Sequence, residues 1–172
     1  MPGGGKTTVG RLLARHLGWR FVDTDAEIER QLGCSIRDFF EREGEAAFRD
    51  IEEKTLTVLL GDADAVVLST GGGLPLREAN RRCLREHTTA LYLHSTPEEL
   101  FRRLRHDTQR PLLQVADPLG RLRELYAQRD ALYREVAQFV LETGRPSIHT
   151  LVNMALMQLE LAGVVGRADR NR

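Results

Sequence analysis

Met1-Pro2-Gly3-Gly4-Gly5-Lys6-Thr7-Thr8 opens the chain, and Gly5-Lys6-Thr7 is the end of the phosphate-binding loop pattern G-x-x-x-x-G-K-[ST]. Successive glycines let backbone N–H groups turn inward and cradle phosphate oxygens. Lys6 is placed to reach the β- and γ-phosphates as a point charge, and the Thr7 hydroxyl to ligate Mg²⁺. A short glycine run is weak on its own, so the context decides. Val9, Leu12, Leu13 and Leu17 recur at helical spacing and Gly18 closes the helix, which gives a loop feeding a helix whose positive N-terminal end faces the same anion. Counting back from Gly5, the first glycine of the pattern falls one residue before Met1, and the strand that feeds such a loop falls before that. The chain as given is therefore expected to begin inside the motif.

Working outward, Arg20 to Val22 reads as a short strand, with Asp23 and Asp25 at its carboxyl end. Ligands of open α/β sheets bind at that end. Spacing two on a strand aims both carboxylates at one site; one can hold Mg²⁺, the other can take a proton from a substrate hydroxyl. Helices are predicted over 25–32, 36–42 and 45–60, with Gly44 as the break. Arg49 and Glu52 on the last are helix-surface neighbours. Ala65 to Ser69 is a continuous apolar strand of the kind buried in parallel sheets, and it runs into Thr70-Gly71-Gly72-Gly73, where glycine implies close approach of backbone to a ligand.

Further helices are expected over 77–85, 96–105, 118–136 and 148–161, and strands over 89–94 and 139–142. Residues 106–117 lack periodicity and read as a lid with Arg110 at its tip. Alternating strands and helices imply an α/β fold with a parallel sheet covered on both faces. Four strands are visible; a first, central strand would make five. Residues 1–163 read as one domain and 164–172 as a polar tail.

Composition narrows the function class. Lys plus Arg and Asp plus Glu each total 25, so net charge offers no argument for nucleic acid. Lys6 and Lys54 are the only lysines; Arg suits bidentate recognition of carboxylate and phosphate, although a GC-rich genome gives the same bias. Cys34 and Cys83 fit no zinc or disulfide pattern. No apolar run approaches the roughly 18 residues of a membrane span, so a cytoplasmic monomer without membrane partners is the expectation.

The ordered set Gly5-Lys6-Thr7-Thr8-Val9-Gly10, Phe21-Val22-Asp23-Thr24-Asp25, Gly44-Glu45 with Phe48-Arg49 and Glu52, Gly71-Gly72-Gly73, Arg110-Pro111-Leu112-Leu113 and Arg129 with Tyr133 resembles the shikimate kinase family, in the nucleoside-monophosphate-kinase-like branch of P-loop proteins. The resemblance runs from Met1 to about Leu161. It implies a three-layer α/β/α domain whose five-stranded sheet has its first strand in the centre, and MgATP-dependent phosphorylation of the shikimate 3-hydroxyl. It implies that Asp25, Arg49, Arg129 and the backbone of Gly71, Gly72 and Gly73 hold shikimate, and that Thr7 and Asp23 serve Mg²⁺. ATP falls to Gly3, Gly4, Gly5, Lys6, Thr7, Thr8, Arg103, Arg110 and Arg145, with Lys6, Asp25 and Arg110 as the catalytic set. A related small-metabolite kinase acting on gluconate, or a nucleotide-binding module without turnover, are the alternatives.

Overall fold

A computed structural model describes residues 1, 3–61, 65–105 and 115–166. Helix α1 (Lys6–Leu17) starts on Gly5, whose φ of 80° is left-handed, and ends on Gly18 at φ 66°. Its apolar stripe, Val9, Leu13, Ala14 and Leu17, is buried. Strand β1 (Arg20–Asp23) follows, then α2 (Thr24–Leu32) and α3 (Ile36–Gly61). Gly44 bends α3 at φ 83°, ψ 176°, a conformation open to glycine and little else. Two helical segments thus meet at a kink at Gly44, where the break was expected, and Arg49 lies on the second of them.

Strand β2 (Val66–Ser69) leads through the glycine run into a 3₁₀ turn (Leu74–Leu76) and α4 (Glu78–His87). Strand β3 (Leu91–His94) and α5 (Pro97–Leu104) come next. Thr96 starts α5 with a full capping box: its side chain accepts from the Glu99 N–H, and Glu99 returns a bond to the Thr96 N–H. Helix α6 (Pro118–Val136), strand β4 (Phe139–Glu142) and α7 (Ile148–Leu161) complete the order.

Both strand pairings are parallel. β1 lies on β2 with Arg20 opposite Val66 and Asp23 opposite Ser69. β3 lies on β4 with Leu91 opposite Phe139 and His94 opposite Glu142. The four strands expected from sequence are present, but among the described residues they form two pairs rather than one ladder. A cavity of about 610 Å³ separates the pairs and is lined by Val67 and Leu68 of β2, Leu91 and Leu93 of β3, and Val9 and Leu13 of α1.

Apolar burial ties the layers together around this gap. Val9, Leu13 and Leu17 of α1 pack with Leu141 of β4 and with Leu151, Val152, Ala155, Leu156 and Leu159 of α7. Val165 is 7% exposed and joins the same cluster, so the packed chain extends beyond residue 163. On the other side, Tyr92 of β3, Leu100 of α5 and Leu122, Leu125 and Tyr133 of α6 form a second cluster with Met1. Helix α6 is thereby seated against β3, with Arg129 and Tyr133 one turn apart on it.

Candidate active site

Five segments meet at the carboxyl ends of β1 and β2. The start of α1 supplies a phosphate cradle: Gly3 and Gly5 take left-handed φ of 74° and 80°, and the first N–H groups of any helix lack acceptors within it. Lys6 Nζ donates to the Met1 carbonyl at 2.9 Å, which bends the ammonium back over the loop. Thr8 is exposed beside it. Thr7 Oγ1 donates to Asp23 Oδ2 at 3.0 Å, joining the loop to the end of β1.

Asp23 has a second task. Its Oδ1 accepts from the N–H groups of Asp25 and Ala26 at 3.1 and 3.3 Å, making it the N-cap of α2. The sequence reading puts both carboxylates at the carboxyl end of a strand and starts a helix at Asp25; in the structure the strand runs to Asp23, α2 begins at Thr24, and Asp25 lies in the first turn of the helix that Asp23 caps. Burial, then the charge of Asp23, raises the Asp25 carboxyl above its ordinary 3.8, with Lys6 and Arg49 pulling the other way.

The glycine run is shaped by its neighbours. A Cβ on Gly71 would collide with the Asp25 carboxylate, and one on Gly73 with the Arg49 guanidinium. One on Gly72 would lie 3.5 Å from Arg129 Nη1 and 3.6 Å from the Tyr133 hydroxyl. Three consecutive positions thus each leave room for a different polar side chain, from α2, α3 and α6. Thr24 fixes the run from below, its buried Oγ1 accepting from the Gly71 N–H at 2.9 Å. Neither the Gly72 nor the Gly73 N–H has a hydrogen-bond partner among the described residues.

Arg49 is held rather than exposed. Glu52, 2% exposed, pairs with its Nη1, Glu45 accepts from its Nη2 at 3.1 Å, and the Phe48 ring lies 5.3 Å from its guanidinium carbon. The Arg49–Glu52 spacing alone favoured a solvated pair; the bend at Gly44 buries it instead. Burial pushes the Glu52 carboxyl up, against the pull of Arg49. Arg129 carries a buried Nε with no partner among the described residues. An unpaired buried donor of this kind costs about 1–3 kcal/mol, and an anionic oxygen placed there satisfies it.

A profile of the family described as shikimate kinase matches residues 2–160. The chain is 55% identical over 166 residues to a shikimate kinase of Paracidovorax citrulli (strain AAC00-1), covering 95% of this chain and 91% of that one. The chain belongs to the shikimate kinase family. A family relative from Burkholderia lata is 54% identical over 97% of this chain and 90% of its own. A shikimate kinase of Acinetobacter baumannii, solved in complex with shikimate, superposes with a TM-score of 0.85 at 43% identity, covering 95% of this chain and 90% of that one. The shikimate kinase of Aquifex aeolicus gives 0.81 at 32% identity over 96% of both chains. The α/β fold with parallel strands is that of the shikimate kinases.

Of the residues singled out in the sequence, Lys6, Thr7, Asp23, Asp25, Arg49, Gly71, Gly72, Gly73 and Arg129 come together in this family member. Arg103 lies apart from them, donating to Ser95 Oγ at 3.3 Å and to the Thr143 carbonyl, beside the loop that carries the exposed Arg145. Arg110 and most of the expected lid lie outside the described residues; Asp117, at its end, caps α6 by accepting from the Gly120 N–H at 2.9 Å. Sequence reasoning gave Thr24 no part. Its position between two acidic residues at a strand end was the available signal. Among the described residues no group of three or more His, Cys, Asp or Glu side chains is disposed as a metal site, and no helix is long and apolar enough to cross a membrane.

Proposed function

We propose that this chain transfers the γ-phosphoryl group of ATP to the 3-hydroxyl of shikimate, giving shikimate 3-phosphate and ADP. The observation that carries this reading is the ring of Asp25, Arg49 and Arg129 around the Gly71–Gly73 backbone. Two guanidinium groups from different helices suit one small carboxylate, and a single carboxylate beside them suits ring hydroxyls. Shikimate is an acid with three hydroxyls, and it is the ligand of the Acinetobacter baumannii relative. Glu52 and Glu45 keep Arg49 aimed before substrate arrives, so little order is lost on binding.

In the transfer, the shikimate oxygen forms a bond to the γ-phosphorus while the bond to the β–γ bridging oxygen breaks, and the hydroxyl proton passes to the Asp25 carboxylate. Burial raises this carboxyl, which brings its basicity closer to the working pH. The remaining demand is positioning and neutralisation of charge. The loop N–H groups of Gly3, Gly4, Gly5, Thr7 and Thr8 cradle the phosphates, and Lys6 swings from the Met1 carbonyl to them. Arg103 and Arg145 flank the adenine. The family pattern gives Arg110 the same neutralising role at the phosphates. The Thr7 hydroxyl and Asp23 carboxylate are hard oxygen donors 3.0 Å apart at the loop, which fits a Mg²⁺ ion bound by one or two protein groups and the nucleotide. When bound there, Mg²⁺ supplies positive charge to the phosphates.

The same reading makes the protein a monomeric cytoplasmic enzyme with a single kinase domain formed by residues 1–163 and the Val165 that packs against them. The test is shikimate-dependent ADP release with MgATP. Saturable turnover on shikimate with little on gluconate is expected. Nucleotide binding without shikimate-dependent release, in protein shown to be folded, overturns the reading.

A further inference from the structure

We propose that Tyr133 is a positioning residue for the acceptor substrate, holding the Gly72–Gly73 peptide group in the orientation that presents its N–H to the bound acid. This rests on the reading that the Gly71–Gly73 loop contacts shikimate. Tyr133 is 9% exposed, and its hydroxyl donates to the Gly72 carbonyl at 2.6 Å, across 61 residues of chain. A trans peptide is planar, with its C=O and the following N–H on opposite sides. Fixing the Gly72 carbonyl on Tyr133 therefore fixes the direction of the Gly73 N–H, which is one of the loop's two donors without a partner among the described residues.

A Gly-Gly peptide needs such a restraint more than any other. Neither residue carries a Cβ, so rotation of the peptide plane meets little steric resistance. Thr24 anchors the loop at the Gly71 N–H and the 3₁₀ turn anchors it at the carbonyls of Gly71 and Gly73. The Gly72 carbonyl lies between these anchors, and Tyr133 is its partner.

Tyr133 also ties the loop to Arg129. The two residues are i and i+4 on α6 and share a face, and a side-chain atom built on Gly72 would stand within 3.6 Å of both. The ring of Tyr133 is itself fixed, packing 5.1 Å from the Tyr92 ring in the cluster that seats α6 on β3. The phenol thus sets the spacing between a backbone donor and a guanidinium that serve the same ligand. Losing it loosens acceptor binding and leaves the nucleotide side of the site unaltered, because α1 makes no use of this bond.

The test is steady-state kinetics of Tyr133→Phe, which keeps the ring and deletes the hydroxyl, beside Tyr92→Phe. Tyr92 is a matched control: its buried hydroxyl donates to Asp130 Oδ1 at 2.9 Å, away from the glycine loop. Thermal melting establishes that both variants fold. For Tyr133→Phe the KM for shikimate rises about five- to tenfold, the scale of one lost hydrogen bond, with kcat within about twofold and the KM for MgATP unchanged. For Tyr92→Phe the shikimate KM stays at the wild-type value. A wild-type shikimate KM in Tyr133→Phe overturns the inference, as does an equal rise in both variants or a matching rise in the MgATP KM. Failure of the functional reading looks different: the wild-type protein itself then shows no shikimate-dependent ADP release.

Discussion

The guanidinium of Arg49 occupies the space that a side chain at residue 73 would fill. The absence of a Cβ at Gly73 is thus a condition for the position of Arg49, which Glu45, Glu52 and the Phe48 ring prevent from moving aside. Gly73→Ala should displace the guanidinium. The expected outcome is a rise of about tenfold or more in the shikimate KM, about 1.4 kcal/mol of binding, with the MgATP KM unchanged in the same assay. A wild-type shikimate KM in this variant removes Arg49 from acceptor recognition.

Asp25 makes the protein sensitive to pH in a stated direction. Burial, followed by the charge of Asp23, raises its carboxyl above 3.8. If Asp25 accepts the proton, the acid limb of kcat/KM for shikimate falls above pH 3.8, as a log-rate profile will show. The linkage to stability runs against activity. A carboxyl with a raised folded value holds its proton to higher pH in the native state than in the unfolded one, so its contribution is lost as pH rises between the two values. At neutral pH, Asp25→Asn should therefore abolish turnover yet melt higher, by about 2–4 °C for each kcal/mol regained.

Asp23 allows metal binding to be separated from folding. Asn caps helices about as well as Asp, so Asp23→Asn keeps through Oδ1 the bonds to the Asp25 and Ala26 N–H groups, while the charge near Thr7 and the oxygen that accepts the Thr7 hydroxyl give way to a neutral amide donor. Its melting temperature should stay within about 2 °C of wild type, on the scale of less than 1 kcal/mol, while the Mg²⁺ concentration for half-maximal turnover rises at least about tenfold. A parallel loss of stability and activity would instead make Asp23 a structural cap alone.

Thr24→Val keeps the volume and removes the acceptor of the Gly71 N–H. That leaves a buried donor unmet, at a cost of about 1–3 kcal/mol, which urea unfolding measures directly. Because the glycine run loses its lower anchor, the shikimate KM should rise together with the loss of stability.

What could be read from the chain depended on how local the signal was. The loop glycines with Lys6 and Thr7, the apolar stripe of α1, and the glycine stop at Gly18 are contiguous patterns, and each appears where it was expected. Arg49, Asp25 and Arg129 carried the chemistry of an acid-binding site in their side chains. Thr24 and the Tyr133 hydroxyl did not: they act on backbone atoms 47 and 61 residues away, and such bonds leave no periodicity. The cap at Asp23 was missed for a related reason. Asp-x-Asp after an apolar pair fits both a strand end and a capped helix start, and only the bonds from the Asp25 and Ala26 N–H groups to Asp23 decide between them.

Those bonds have a mechanical consequence. One oxygen of Asp23 seats the first turn of α2 while the other receives the Thr7 hydroxyl, so a single carboxylate is the rivet between the loop that grips the nucleotide and the turn that carries Asp25. On the proposed mechanism, the loop that carries Lys6 and the Asp25 carboxylate that takes the acceptor's proton cannot drift apart without breaking it. Shifts of α2 as a body carry both along, and the alignment of the reaction survives motions that would misalign two independently mounted groups.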